Sequence, residues 1–203
     1  MRGGVAADGR RWGLTGPVVD TLDQLAGHIL LLSGSPGSGK TTTAEVLARI
    51  PGAVPKAHIH SDDFWGNIKH GLIAPWLPES HAQNRMIMEI AAGVAGRYAR
   101  SGYFVALDGV VRPAMLDAYL TLNMSLHYIV LRTSVAEAVA RCTSRGGDSL
   151  TDPVVVANLH AEFADLGAYE SHVLAVDGLD RAQTLAAVIA AVQSGAYRLG
   201  TAR

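Results

Sequence analysis

The chain is expected to be an α/β protein, a three-layer sandwich in which five parallel strands form an open sheet with helices on both faces. Three observations predict this. Short apolar runs, of the kind a strand buried on both faces shows, alternate along the chain with stretches of helical period. Capping residues open most of the helical stretches, so each unit is punctuated. With 203 residues, 49% of them apolar, the chain is long enough to bury a sizeable core in one domain.

Residues 1–25 carry Arg2, Arg10, Arg11 and scattered glycines and read as a loosely ordered lead-in, with a short helix over 20–26. The domain proper is expected over 26–203. Residues 29–32 form its first buried strand, and Val46, Leu47 and Ile50 mark a helix that breaks at Pro51-Gly52. His58, Ile59 and His60 make a second, short strand. The spacing of Ile87, Ile90, Ala91, Val94 and Tyr98 predicts a long helix over 79–100 with these residues on one face. Strands are expected over 103–107, 126–131 and 173–176. Between the last two, Ser134 and Glu137 form a capping-box signature for a helix through Cys142. Thr151-Asp152-Pro153 opens a further helix, with Val155, Leu159, Phe163 and Leu166 as its stripe. Asp180 caps a terminal helix that turns Leu185, Val188, Ile189 and Val192 inward.

Charge and cysteine use narrow the class of protein. A formal net charge of −1 leaves no global basic field and argues against a nucleic-acid partner. The single cysteine, Cys142, cannot form an internal disulfide and fits a reducing cytoplasm; its place beside Val135 and Val139 makes it a small core residue. No run has the length of a membrane span, and none near the start suits a secretory signal, so no membrane partner is expected. A monomer or homodimer fits a domain of this kind.

The most specific signal is Gly34-Ser35-Pro36-Gly37-Ser38-Gly39-Lys40-Thr41, which meets every fixed position of G-x-x-x-x-G-K-[ST]. It stands between a strand and a helix, where such a loop works. Its glycines let successive backbone N–H groups converge on one centre, and the helix N-terminus adds partial positive charge. With Thr42 the loop would cradle the phosphates of a nucleotide. Lys40 would reach the β- and γ-phosphates, and the Thr41 hydroxyl would enter the shell of a magnesium ion.

In a parallel sheet, ligands bind beyond the carboxyl ends of the strands, so chemistry is sought there. Asp62 and Asp63 follow the second strand: one carboxylate would orient or deprotonate an attacking hydroxyl, or both would be turn and cap residues. Residues 65–85 form a long connector with Trp65, Trp76, Pro75 and Pro78. Trp76 offers a rigid wall, and Lys69, His81, Asn84 and Arg85 offer polar groups to an acceptor; the alternative is a surface flap whose tryptophans pack on the sheet. Asp108 closes the third strand, near the magnesium or as a cap, and Arg112 lies a short turn further, toward the acceptor. Arg132 follows the fourth strand as another candidate. His58 and His60 share one strand face without a third ligand at zinc spacing and are read as core or cleft residues.

The phosphate-loop residues Gly34 to Thr42, followed by Ser61-Asp62-Asp63-Phe64, resemble the polynucleotide 5′-kinase branch of the small P-loop kinases. That P-loop NTPase group includes gluconate kinase, adenylylsulfate kinase, chloramphenicol phosphotransferase and the zeta toxins. The resemblance implies that Asp62 assists the acceptor hydroxyl, with Asp63 second. It also implies a lid near 141–153, whose Arg145 and then Arg141 meet the transferred phosphoryl group. Asp177-Gly178-Leu179 resembles the loop that borders the adenine, with Gly178 allowing close approach. Where the polynucleotide kinases place an arginine after the Asp pair, this chain has Trp65, which removes a phosphate contact for a nucleic-acid end. The expected activity is transfer of the γ-phosphoryl of ATP, with Mg²⁺, to a hydroxyl of a small-molecule acceptor. The rivals are a polynucleotide or nucleoside-end kinase and a nucleotide-binding regulatory protein with little transfer activity.

Overall fold

The computed structural model describes residues 22–145 and 151–200. Strand β1 (Ile29–Gly34) is buried along its whole length, and its side chains alternate between two cores. Ile29 and Leu31 pack on one side of the sheet, Leu30 and Leu32 on the other. Burial on both faces is why this strand reads as an unbroken apolar run. The other strands are β2 (Lys56–His60), β3 (Phe104–Gly109), β4 (Leu126–Arg132) and β5 (Val173–Ala175). All pairs are parallel, in the order β2-β3-β1-β4-β5. The chain leaves β1 in one direction and later returns to its other side, so the switch point lies at the end of β1, where the glycine loop stands.

Two helical layers complete the sandwich. Helix α1 (Lys40–Ala48) supplies Ala44 and Leu47 to one core. Residues 22–25 join it there through Leu22 and Leu25, while Asp23 accepts hydrogen bonds from the Ala53 and Val54 amides at 2.8 and 3.2 Å. The lead-in over 1–21 lies outside the described residues. After β2 come the short α2 (Asp62–Gly66) and the long α3 (His81–Arg100), which covers the opposite face. Its inward residues differ from the expected stripe: Ile87, Met88, Ala91, Ala92, Ala95 and Ala99 are buried, whereas Ile90 and Tyr98 are exposed. The alanines let the helix lie close to the sheet, and Tyr98 instead meets Tyr103 edge-on, ring centroids 5.4 Å apart.

The remaining helices are α4 (Asp117–Leu120), α5 (Val135–Arg145), α6 (Pro153–Ala161) and α7 (Arg181–Ser194). Asp152 caps α6 by accepting from the Val154 and Val155 amides. Asp180 and Gln183 form a reciprocal capping box on α7, whose Leu185, Val188, Ile189 and Val192 are buried as expected. Two expectations are corrected. The Ser134 box is half made: Ser134 Oγ accepts the Glu137 amide at 3.4 Å, but the Ser134 amide donates to Asp177 Oδ1 at 2.9 Å, leaving Glu137 free to turn toward Thr133 and Arg141. The α6 stripe is divided, because the helix stops at Ala161, and Phe163 and Leu166 enter the core from the turn beyond it. Val135 is exposed, while Cys142 packs with Ala138, Val139 and Val156. Among the described residues no helix is long and apolar enough to cross a membrane.

Candidate active site

Strand β1 runs directly into the glycine loop, and two of its glycines are required by close neighbours. At Gly34, with φ of +141°, a Cβ would stand 2.4 Å from the Leu131 carbonyl oxygen. At Gly37, with φ of +80°, it would stand 2.4 Å from the Ala138 carbonyl oxygen, so the first turn of α5 presses on the loop. The Ser38 amide closes the loop by donating to the Ser35 carbonyl at 3.2 Å, and the buried Lys40 ammonium donates to the same carbonyl at 3.3 Å. Ser38 Oγ is buried with no partner, a polar atom aimed into a loop otherwise shaped by backbone.

Asp108 lies inside β3, one residue before its end, and is completely buried. Thr41 Oγ1 donates to its Oδ2 at 2.6 Å, joining the helix after the glycine loop to the third strand. On the neighbouring strand β2, His58 Nε2 reaches Oδ1 at 2.6 Å and His60 Nδ1 reaches Oδ2 at 2.9 Å. Burial pushes the Asp108 carboxyl up, but the hydrogen bonds from His58, His60 and Thr41 outweigh it and hold it well below the usual carboxylate range. The bond to Asp108 in turn raises His60; burial opposes this, and the charges of Asp108, Asp62 and Asp63 add to it. The opposite ring nitrogen, His60 Nε2, stands 3.6 Å from Asp62 Oδ2. A carboxylate, an imidazole and a second carboxylate therefore run from the buried strand end to the surface of the cleft.

That cleft has a volume of about 810 Å³ and is bounded on one side by Pro36, Gly37, Lys40, Thr41 and Thr42. Asp62, Trp65, Trp76 and Arg112 line it further out. Residues 62 and 65 are one helical turn apart in α2, so both face the same way. The size suits a small ligand beside bound phosphates. Asp63 and Arg85 do not line the cleft; Asp63 is exposed, and Arg85 lies 3.3 Å from Nε2 of His81, which does line it. Lys69 is exposed and donates to the Gly66 carbonyl at 2.6 Å.

Asn84 plays a different part from the one its sequence suggested. It is buried, and both its amide hydrogens and its oxygen are engaged: Oδ1 accepts from Trp65 Nε1 at 3.0 Å, and Nδ2 donates to the Pro75 carbonyl and Ser80 Oγ at 2.7 and 2.8 Å. It lines the cleft, and its bonds there pin the tryptophan and the connector together. Arg132 also departs from expectation, since it donates to the Phe163 carbonyl and pairs with Glu170. Arg141 is held by Glu137 and donates to the Gly37 and Leu179 carbonyls at 3.3 and 3.4 Å. It thus clamps the loop after β5, where Gly178 adopts φ of +72°, against the glycine loop, and does not line the cleft. Arg145 ends α5, and its side chain, with residues 146–150 of the expected lid, lies outside the described residues.

Thr41 and Asp108 offer the hard oxygen ligands that magnesium takes, and the loop with its unpartnered Ser38 hydroxyl fits a polyphosphate. The residues present therefore fit both groups. Sequence reading missed Asn84 as an anchor and the joint hold of His58 and His60 on Asp108. The alternation of the two histidines was visible, but their partner strand was not.

A scan against family models finds no match, and a search of curated proteins finds none either. Among solved structures, the tunicamycin resistance protein of Deinococcus radiodurans is similar at a TM-score of 0.61 and 16% identity, covering 81% of this chain and 94% of that one. The APS kinase of Mycobacterium tuberculosis, solved with AMPPNP and APS, gives 0.55 and 16%, covering 83% and 98%. A gluconokinase from Sinorhizobium meliloti gives 0.52 and 18%, covering 84% and 91%. Identities this low speak to architecture. Five parallel strands in this order, the glycine loop at the switch point and these neighbours together give the chain the fold of the small P-loop kinases.

Proposed function

We propose that the protein is an ATP- and magnesium-dependent phosphotransferase that moves the γ-phosphoryl group to a hydroxyl of a small-molecule acceptor. One observation carries this reading: a single cleft is bounded by the phosphate loop with Lys40 and Thr41 and by Asp62 with an aromatic wall. A nucleotide-binding regulator has no need of such a recess beside Asp62. Magnesium, when bound, neutralises charge on the phosphates; Thr41 and Asp108 are the residues that would hold it. Lys40 orients the β- and γ-phosphates from the start of α1. Asp62 orients the acceptor hydroxyl and takes its proton, with His60 at 3.6 Å steadying the carboxylate. Arg141 keeps the loop around Gly178 against the phosphate loop, on the side proposed for the adenine. Similarity to an APS kinase solved with AMPPNP supports ATP as the donor. The test is a screen of hydroxylated metabolites, sugars, nucleosides and antibiotics for acceptor-dependent ADP release, with Lys40→Ala as the control that must abolish it. A purified protein that binds ATP but whose ADP release is accelerated by none of the acceptors screened would contradict the reading.

A further inference from the structure

Resting on the phosphotransferase reading, we infer that the acceptor is an uncharged alcohol carrying an apolar ring. The wall beyond Asp62 is built from Trp65, Pro75, Trp76, Leu77, Met115 and Leu159. Trp76 and Leu77 are 49% and 45% exposed, a high value for large apolar side chains facing a cleft. The donors that would make this wall polar are already used. Trp65 gives its indole N–H to Asn84, and Asn84 gives both of its amide hydrogens to Pro75 and Ser80. Toward the cleft these residues present ring and hydrocarbon, and the polar side chain left exposed beside them is His81, whose Nε2 lies 3.3 Å from Arg85. Trp65 lies one turn from Asp62 on the same face of α2, so a ring resting on it brings an attached hydroxyl toward the carboxylate.

The charges in the wall point the same way. An anionic acceptor needs cations whose charge is available, and the arginine in this part of the cleft, Arg112, is paired with Glu162 at 2.8 Å, both of them lining residues. Lys40 belongs to the phosphate loop. Asp62 and Glu162 face Arg112 and His60 there, and each of these two is already held by carboxylates, Arg112 by Glu162 and His60 by Asp108 and Asp62, so a carboxylate or phosphate finds no unengaged cation among these groups.

The test uses three alcohols of one framework: 3-phenyl-1,2-propanediol, its carboxylate counterpart 3-phenyllactate, and 1,2-propanediol, which lacks the ring. Binding is measured by calorimetry with ADP and Mg²⁺ present, and turnover by ADP release from ATP. The phenyl diol should bind about tenfold more tightly than either of the others. Trp76→Ala should remove most of its advantage over 1,2-propanediol. Glu162→Gln, which unpairs Arg112, should narrow the gap to 3-phenyllactate. Equal or tighter binding of 3-phenyllactate, or no binding of the phenyl diol at millimolar concentration, would overturn the inference. Selective binding of the phenyl diol without ADP release keeps the ligand class and removes the phosphotransferase reading. Preferred turnover of 3-phenyllactate does the reverse.

Discussion

Replacing Asn84 by alanine tests whether one buried amide organises the acceptor side of the cleft. The side chain makes three hydrogen bonds, to Trp65 Nε1, the Pro75 carbonyl and Ser80 Oγ, at 2.7 to 3.0 Å. Each such bond contributes about 0.5–1.5 kcal/mol net. Ser80 Oγ keeps its bonds to the Pro75 and Leu77 carbonyls, so only Trp65 loses its single partner. The sum is a loss of about 2–4 kcal/mol in unfolding free energy. Urea denaturation measures it. Functionally, the tryptophan and the connector lose their tie while the phosphate loop is untouched. The acceptor KM should therefore rise about tenfold with nucleotide affinity unchanged. A variant within about 0.5 kcal/mol of wild type and with unaltered KM would refute the anchoring role.

Two further outcomes follow from the geometry. His127 is buried, and burial first, then the neighbouring His28 and Arg198, pushes its pKa down to about 4. The unfolded chain takes up a proton near pH 6.5 that the folded protein refuses, so stability present above that pH falls on acidification, by about 2 kcal/mol at pH 5. His60, raised by Asp108, works in the opposite direction, so the quantity to measure is the difference between wild type and His127→Gln across pH 7.5 to 5; parallel curves would contradict the assignment. Gly37→Ala should cost about 2 kcal/mol or more, since it adds a backbone clash with Ala138 to the cost of positive φ, whereas Gly39→Ala, with φ of +93° and open space, should cost only about 1 kcal/mol. Equal losses by chemical denaturation would show that α5 does not press on the loop.

The parts of the site that were legible in the sequence are those set by local chain geometry. The strand, glycine loop and helix occupy consecutive residues, and Asp180 with Gln183 specify the start of α7 within one turn. Relations across the sheet were not legible. His58 and His60 sit two residues apart, but only the pairing of β2 with β3, which opposes His60 to Asp108, gives them a common partner. Arg132 looked like a ligand-facing arginine because it ends a strand; Glu170, 38 residues on, neutralises it. Asn84 looked available because its neighbours on α3 are polar, while the folding back of Pro75 and Ser80 takes both of its amide hydrogens. The inward face of α3 was misassigned for a related reason. Periodicity favours the large residues Ile90 and Tyr98, but the sheet admits the helix closely only along its alanines.

The most direct measurement of the central claim, that Asp62 serves phosphoryl transfer in this cleft, is the comparison of Asp62→Asn with Asp63→Asn. Both carboxylates begin α2, yet only Asp62 lines the cleft and stands within 3.6 Å of His60. Turnover with an acceptor from the screen and affinity for ADP are measured on the same preparations. The expected result is a fall in kcat of roughly 10²- to 10⁴-fold for Asp62→Asn, a much smaller one for Asp63→Asn, and unchanged ADP affinity in both. Small and equal losses in the two variants would contradict the claim and leave the pair as the first turn of a short helix.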